Sequence, residues 1–156
     1  MTDGVNWLTA EEQHAWRGFV RLHERLMGRL SHLLQTESHV AAADYAVLVN
    51  LTDVPEGRQR YQDLARALEW EKSRMSHHIT RMIKRGLVVR EDCPEDGRGA
   101  FAVITEAGRE AIAAAAPLHV QAVRSLFLDH LTAAELRTLA EISARVMERL
   151  DDAPER

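Results

Sequence analysis

Ser73-Arg-Met-Ser-His-His-Ile-Thr-Arg-Met-Ile-Lys-Arg-Gly-Leu-Val88 is the stretch from which the rest of the chain is read. Met75, Ile79, Met82 and Ile83 recur at helical spacing, which predicts a helix over Ser73–Arg85 with one buried stripe. Ser73 stands where a capping hydroxyl is expected, and Gly86 stands at the position where a left-handed residue ends a helix. Arg74, Ser76, His77, His78, Thr80, Arg81 and Lys84 lie on or beside the other face. They are donors, acceptors and cations, with no carboxylate among them. From Lys72 to Arg90 there are six basic residues and no acidic one. A charge run is usually just a solvated face, but a face of one sign suits a polyanion, because a carboxylate on it would repel phosphate.

Upstream, Tyr61 to Leu68 predicts a short helix with Leu64, Ala65 and Leu68 inward. Asp53-Val-Pro-Glu-Gly57 is a breaker. Before it, Asp44 to Leu51 reads as a helix with Asp44 as its cap. Downstream, Leu87–Glu91 and Phe101–Ile104 read as two strands of a hairpin around the tip Pro94-Glu-Asp-Gly-Arg-Gly99. The order is helix, short turn, basic helix, glycine, strand, polar tip, strand, which is that of a winged helix-turn-helix. An α-helix fits the major groove of B-DNA and presents side chains to base edges. The preceding helix holds it against the duplex. An arginine at the hairpin tip can enter a narrow minor groove, where the potential is most negative.

The flanks are helical. Thr9-Ala-Glu-Glu12 is a capping box opening a long helix to about Thr36, with Trp16, Phe19, Val20, Leu26, Met27, Leu30, Leu33 and Leu34 on its apolar stripe. Such a length exceeds what a small core can cover, so part of the stripe is expected to pack on a second subunit. Thr105 caps a further helix towards Leu131, which Pro117 is expected to kink or break. Thr132-Ala-Ala-Glu135 opens the last helix. The expected fold is mainly α with a small β-hairpin wing (α+β). Residues 1–40 form an N-terminal dimerisation helix, 41–109 the winged helix-turn-helix DNA-binding domain, and 110–156 the C-terminal dimerisation helices.

The 156 residues carry a net charge of −4, but Arg58 to Ala100 balances to +3 against −7 for the remainder. The single cysteine, Cys93, excludes a disulfide framework and fits a reducing compartment. Its sequence neighbours Asp92 and Glu95 are the wrong sign for a thiol sensor. No continuous apolar run approaches the roughly 18 residues of a membrane span, and the N-terminus lacks the apolar core of a signal peptide, so a cytoplasmic location without membrane contact is expected. P-loop, GxGxxG, HExxH and GxSxG motifs are all missing, and neither an enzyme nor a cofactor is expected. The eight histidines are scattered, without metal-site spacing. Trp16, Trp70 and Tyr45 read as core aromatics. His23, on the stripe of the first helix, reads as a hydrogen-bonded core residue; with Trp16 it is also a candidate for lining a ligand pocket. The rival reading is a helical interaction module without specific DNA binding, but such a module has no reason to keep carboxylates out of Lys72–Arg90.

Tyr61-Gln-Asp-Leu-Ala-Arg-Ala-Leu68, the basic helix, Asp96-Gly-Arg98 and Ile104-Thr-Glu-Ala-Gly-Arg109 together resemble the MarR family of bacterial transcription regulators, over nearly the whole chain. The resemblance implies a homodimer whose first and last helices interlock, and a repressor on a pseudo-palindromic operator of double-stranded DNA. It implies DNA contacts from Ser76, His77, His78, Thr80 and Arg81, entry of Arg98 into the minor groove, and a wing fixed by Asp96. It also implies a response to a small-molecule effector, anionic or phenolic, to oxidation or to a metal, among which the sequence does not choose. One departure is Glu69, where the family often has glycine in the turn between the two helices.

Overall fold

A computed structural model describes residues 4–95 and 99–152. Asp96 and Arg98 therefore lie outside the described residues. The chain divides into two compact units, one through His119 and one from Val120 onward. The elements in order are α1 (Ala10–Leu33), α2 (Ala42–Thr52), β1 (Arg58–Arg60), α3 (Tyr61–Ala67), α4 (Lys72–Lys84), β2 (Val88–Asp92), β3 (Ala100–Ile104), α5 (Glu106–Leu126) and α6 (Ala133–Asp151).

The core of the first unit gathers short apolar stripes. Val47, Leu48 and Leu51 of α2 meet Leu64 and Ala65 of α3 and Met75, Ile79 and Met82 of α4. Val88, Ala102 and Ile104 of the sheet and Ile112 of α5 close it. Burying side chains of this size is worth about 1.5–3 kcal/mol each, which is what holds a 13-residue helix as polar as α4 in place.

The sheet has three antiparallel strands in the order β1-β3-β2, not the expected two. In the wing hairpin Val88 faces Ile104 and Asp92 faces Ala100. On the other side of β3, Arg58 faces Val103 and Arg60 faces Phe101. Arg-Gln-Arg is too short and too polar to announce a strand. It forms because β3 offers a free edge and Phe101 a ring, over which the Arg58 guanidinium lies at 4.1 Å.

The helix ends follow local chemistry. Both capping boxes form: the Thr9 and Thr132 hydroxyls each accept from the N–H of the glutamate three residues on, and Glu12 and Glu135 accept the return bonds. Ser73 and Asp44 are not caps. α4 starts one residue earlier, after Glu71, and α2 starts after Ala41, neither with a side-chain cap. Gly86 ends α4 with φ +75°. Glu69 takes the left-handed conformation at φ +53° that its place in the turn demands, at a cost of roughly 1 kcal/mol for a residue with a Cβ.

The Thr105-Glu-Ala-Gly108 segment has a packing reason. The Thr105 hydroxyl donates to the Gly86 carbonyl and accepts from the Gly108 N–H, tying the wing to the end of α4. A Cβ on Gly108 would overlap the Leu87 carbonyl oxygen and stand 2.8 Å from Ile104 Cγ1. Gly108→Ala is expected to lower stability by roughly 1–3 kcal/mol in denaturant melts; an unchanged midpoint would mean the backbone at Leu87 can withdraw.

α5 runs through Pro117 as one helix and does not break there. Glu106–His130 is also long and apolar enough, by composition, to cross a membrane. A search for continuous runs passes over it because His119, Gln121, Arg124 and Ser125 interrupt the alanines, valines and leucines. Trp16 and His23 are not core residues: both are exposed on α1, along with Phe19, Leu22 and Met27. Trp16 and Phe19 pack their rings at 5.9 Å, and His23 stacks beyond at 6.4 Å from Phe19.

Candidate nucleic-acid interface

α4 separates its two faces sharply. Met75, Ile79 and Met82 are buried, while Arg74, Ser76, His77, Thr80, Arg81 and Lys84 are exposed. Six of the seven α4 residues expected to meet DNA therefore share one open face. The Thr80 hydroxyl donates to the Ser76 carbonyl at 2.9 Å, which leaves its lone pairs outward. The Arg74 guanidinium lies over the Trp70 ring, 4.1 Å from its centroid, so this arginine is supported by an aromatic residue of the turn between α3 and α4.

The seventh residue, His78, is placed differently. It is 7% exposed, beneath the open face. Its Nε2 lies 2.9 Å from Asp44 Oδ1, off the line of a well-directed bond. Its Nδ1 is 3.1 Å from an Arg81 guanidinium nitrogen. Trp70 meets the imidazole edge-on at 5.3 Å. A DNA contact from His78 is thus not available in this arrangement. The physical reason is its position: 75, 78, 79 and 82 are one helical stripe, and Asp44 offers the polar partner that lets a histidine join it.

Asp44 is the residue that sequence reasoning missed. It is 1% exposed, and Arg85 donates to both its oxygens, at 2.6 and 2.7 Å. Burial would raise its pKa. The two hydrogen bonds and the charge of Arg85, together with the nearby His78 imidazole, outweigh that and hold the carboxyl well below the usual carboxylate range. Arg85 is pushed up in turn by the Asp44 hydrogen bond. A signal was present in the sequence, since Asp44, Val47, Leu48 and Leu51 fall on one helical stripe. A charge on that stripe calls for a buried partner.

Beside the open face, a groove of about 390 Å³ lies between the starts of α3 and α4 and the base of the wing. Arg60, Tyr61, Lys72, Ser76 and Arg90 border it. Arg60 and Arg90 were visible only as part of a basic island; the sheet brings them beside the start of α4. Neither Trp16 nor His23 borders this groove. Cys93 is buried, its N–H donating to the Gly99 carbonyl across the base of the wing tip.

A buried-stripe helix held by a second helix across a tight turn, with a two-stranded wing behind it, defines a winged helix-turn-helix of the DNA-binding class. A model of the MarR family matches residues 40–99. AbsC, a MarR family transcriptional regulator from Streptomyces coelicolor, is 41% identical over 96% of this chain and 100% of its own, with a TM-score of 0.88. Sco3205, a MarR family regulator of the same organism solved in complex with DNA, is 39% identical over 97% of this chain and 95% of its own, with a TM-score of 0.90. PcaV from S. coelicolor, solved with its natural ligand, shares the fold at 21% identity, with 93% and 97% of the two chains covered and a TM-score of 0.68. No curated protein matches the chain. The chain belongs to the MarR family of transcriptional regulators.

Proposed function

We propose that this protein is a homodimeric, cytoplasmic repressor that binds a pseudo-palindromic operator, with α4 in the major groove and the wing on the adjacent minor groove. The carrying observation is the exposed, carboxylate-free face of α4, seated on an apolar stripe of the same helix. Arg74, Ser76, His77, Thr80, Arg81 and Lys84 supply the contacts, and Arg98 is the minor-groove residue, with Asp96 as its support. The residues up to 40 and from 110 onward act in dimerisation. The exposed apolar faces of α1, with Trp16, Phe19, Leu22 and Met27, and of α6, with Ile142, Val146, Met147 and Leu150, support this. A small effector that favours a dimer with misplaced α4 helices would release the DNA by its differential affinity for the two states. No enzymatic step is assigned to any residue.

Selection of random duplex DNA on the purified protein tests the reading. The expected product is a pseudo-palindrome with half-sites about 10 base pairs apart. Failure to enrich any sequence, from protein stripped of small molecules by refolding, would favour the interaction-module reading. On the selected duplex, Arg98→Ala should weaken binding without changing the melting temperature; unchanged affinity would remove the wing from the mechanism. His77→Ala should relax preference at its base pair by roughly 1–3 kcal/mol.

A further inference from the structure

We infer that His78 is a positioning residue for Arg81: locked by Asp44 beneath the open face of α4, it holds the Arg81 guanidinium in the pose from which it meets DNA. The inference rests on the reading of α4 as the DNA-contacting helix. A guanidinium has donors only, so at 3.1 Å the His78 Nδ1 must be the acceptor. The ring proton is then on Nε2, the nitrogen facing Asp44 Oδ1 at 2.9 Å. The alignment is poor, but the negative charge of the buried carboxylate at that distance still favours the tautomer with its proton on Nε2, the one that can receive Arg81. Asp44 is itself immobile, because Arg85 grips both its oxygens from the far end of α4. Trp70, edge-on at 5.3 Å, limits rotation of the imidazole.

Arg81 is exposed, and an exposed arginine ordinarily spreads over many rotamers. Holding one nitrogen from below fixes the direction of the fork and lowers the ordering cost of meeting a base or phosphate. The inward polar chain Asp44–His78–Arg81 is therefore part of DNA recognition, although only its last member reaches the surface.

Two near-isosteric variants separate the ring's two bonds. His78→Gln places a donor near Nε2 and removes the acceptor for Arg81. His78→Asn places an acceptor near Nδ1 and gives up the Asp44 contact. Affinity for the selected duplex relative to random duplex is the readout, with every variant assayed well below its melting temperature. His78→Gln is expected to lower that ratio about 5- to 10-fold and His78→Asn by no more than about 2-fold. Arg81→Ala should lower it at least as far as His78→Gln, and the Gln/Ala double variant no further. Equal losses for Gln and Asn, or additive losses in the double variant, overturn the positioning role and leave His78 a core residue. If Arg81→Ala keeps the full ratio, Arg81 does not meet DNA, and the reading of α4 at that residue fails together with the inference. Should the His78 variants not fold, imidazole 15N shifts of the unmodified protein decide: the Nε2–H tautomer is expected, with an Nδ1 signal that moves in Arg81→Ala. The opposite tautomer, or an unmoved signal, overturns it.

Discussion

Arg85→Met is expected to destabilise the protein by about 3 kcal/mol at neutral pH, the low end of what breaking a buried ion pair from one side costs. The low end applies because the Arg85 side chain is 47% exposed while Asp44 is 1% exposed, and His78 remains beside the carboxylate. For a chain of this size the loss should appear as a fall of roughly 6–12 °C in melting temperature, compared at one protein concentration. The penalty also has a pH signature. In the unmodified protein the Asp44 pKa is depressed. Its ionisation therefore contributes stability above the unfolded carboxylate value, near pH 4, and that contribution is lost as pH falls towards the folded value. Without Arg85 the folded pKa rises from its depressed value, because burial still raises it while the hydrogen bonds and charge that opposed burial are gone. The variant's penalty is then present at neutral pH and vanishes on acidification. The gap between the two proteins should accordingly narrow below about pH 4. Asp44→Leu added to Arg85→Met should recover most of the loss, because a buried pair replaced whole by apolar side chains costs little. A gap that is small at neutral pH, or that widens in acid, would show that the pair does not hold α2 to α4.

Between 50 and 200 mM salt, affinity for the selected duplex is expected to fall by about three to five orders of magnitude. Lys72, Arg74 and Lys84 stand along the open face of α4, and Arg60 and Arg90 border the groove beside it. Three to five phosphate contacts per copy give roughly six to ten for a dimer, each contributing about 0.9 to the slope of log affinity against log salt. The overall charge of −4 does not enter, because the acidic residues fall outside Lys72–Arg90. Lys84→Ala removes one contact per copy and should reduce the slope by about 1.8 if two copies engage the duplex. A reduction near 0.9 would mean a single engaged copy, contrary to the dimer. No reduction would mean that Lys84 faces solvent in the complex.

What could be read from the residues is what short-range chemistry controls. The capping boxes at Thr9 and Thr132, the stop at Gly86 and the apolar stripe of α4 depend on atoms within one or two helical turns. The outward set of α4 followed from the same periodicity, apart from one residue. His78 and Asp44 each sit on a buried stripe by spacing, yet their polarity argued for the surface. Which tendency wins depends on a partner 41 residues away in sequence, the Asp44–Arg85 pairing. The same holds for β1, a strand only because β3 has an open edge and a phenylalanine to receive two arginines. It holds for Trp16, an aromatic on a helical stripe that this chain alone does not cover. By itself, then, the sequence determined the helices and the two wing strands, the capping-box starts at Thr9 and Thr132, the stop at Gly86 and a basic, carboxylate-free face on α4. The tertiary structure alone decided which polar groups go inside, because burying a charge is favourable only where a distant segment supplies its counter-charge and hydrogen bonds.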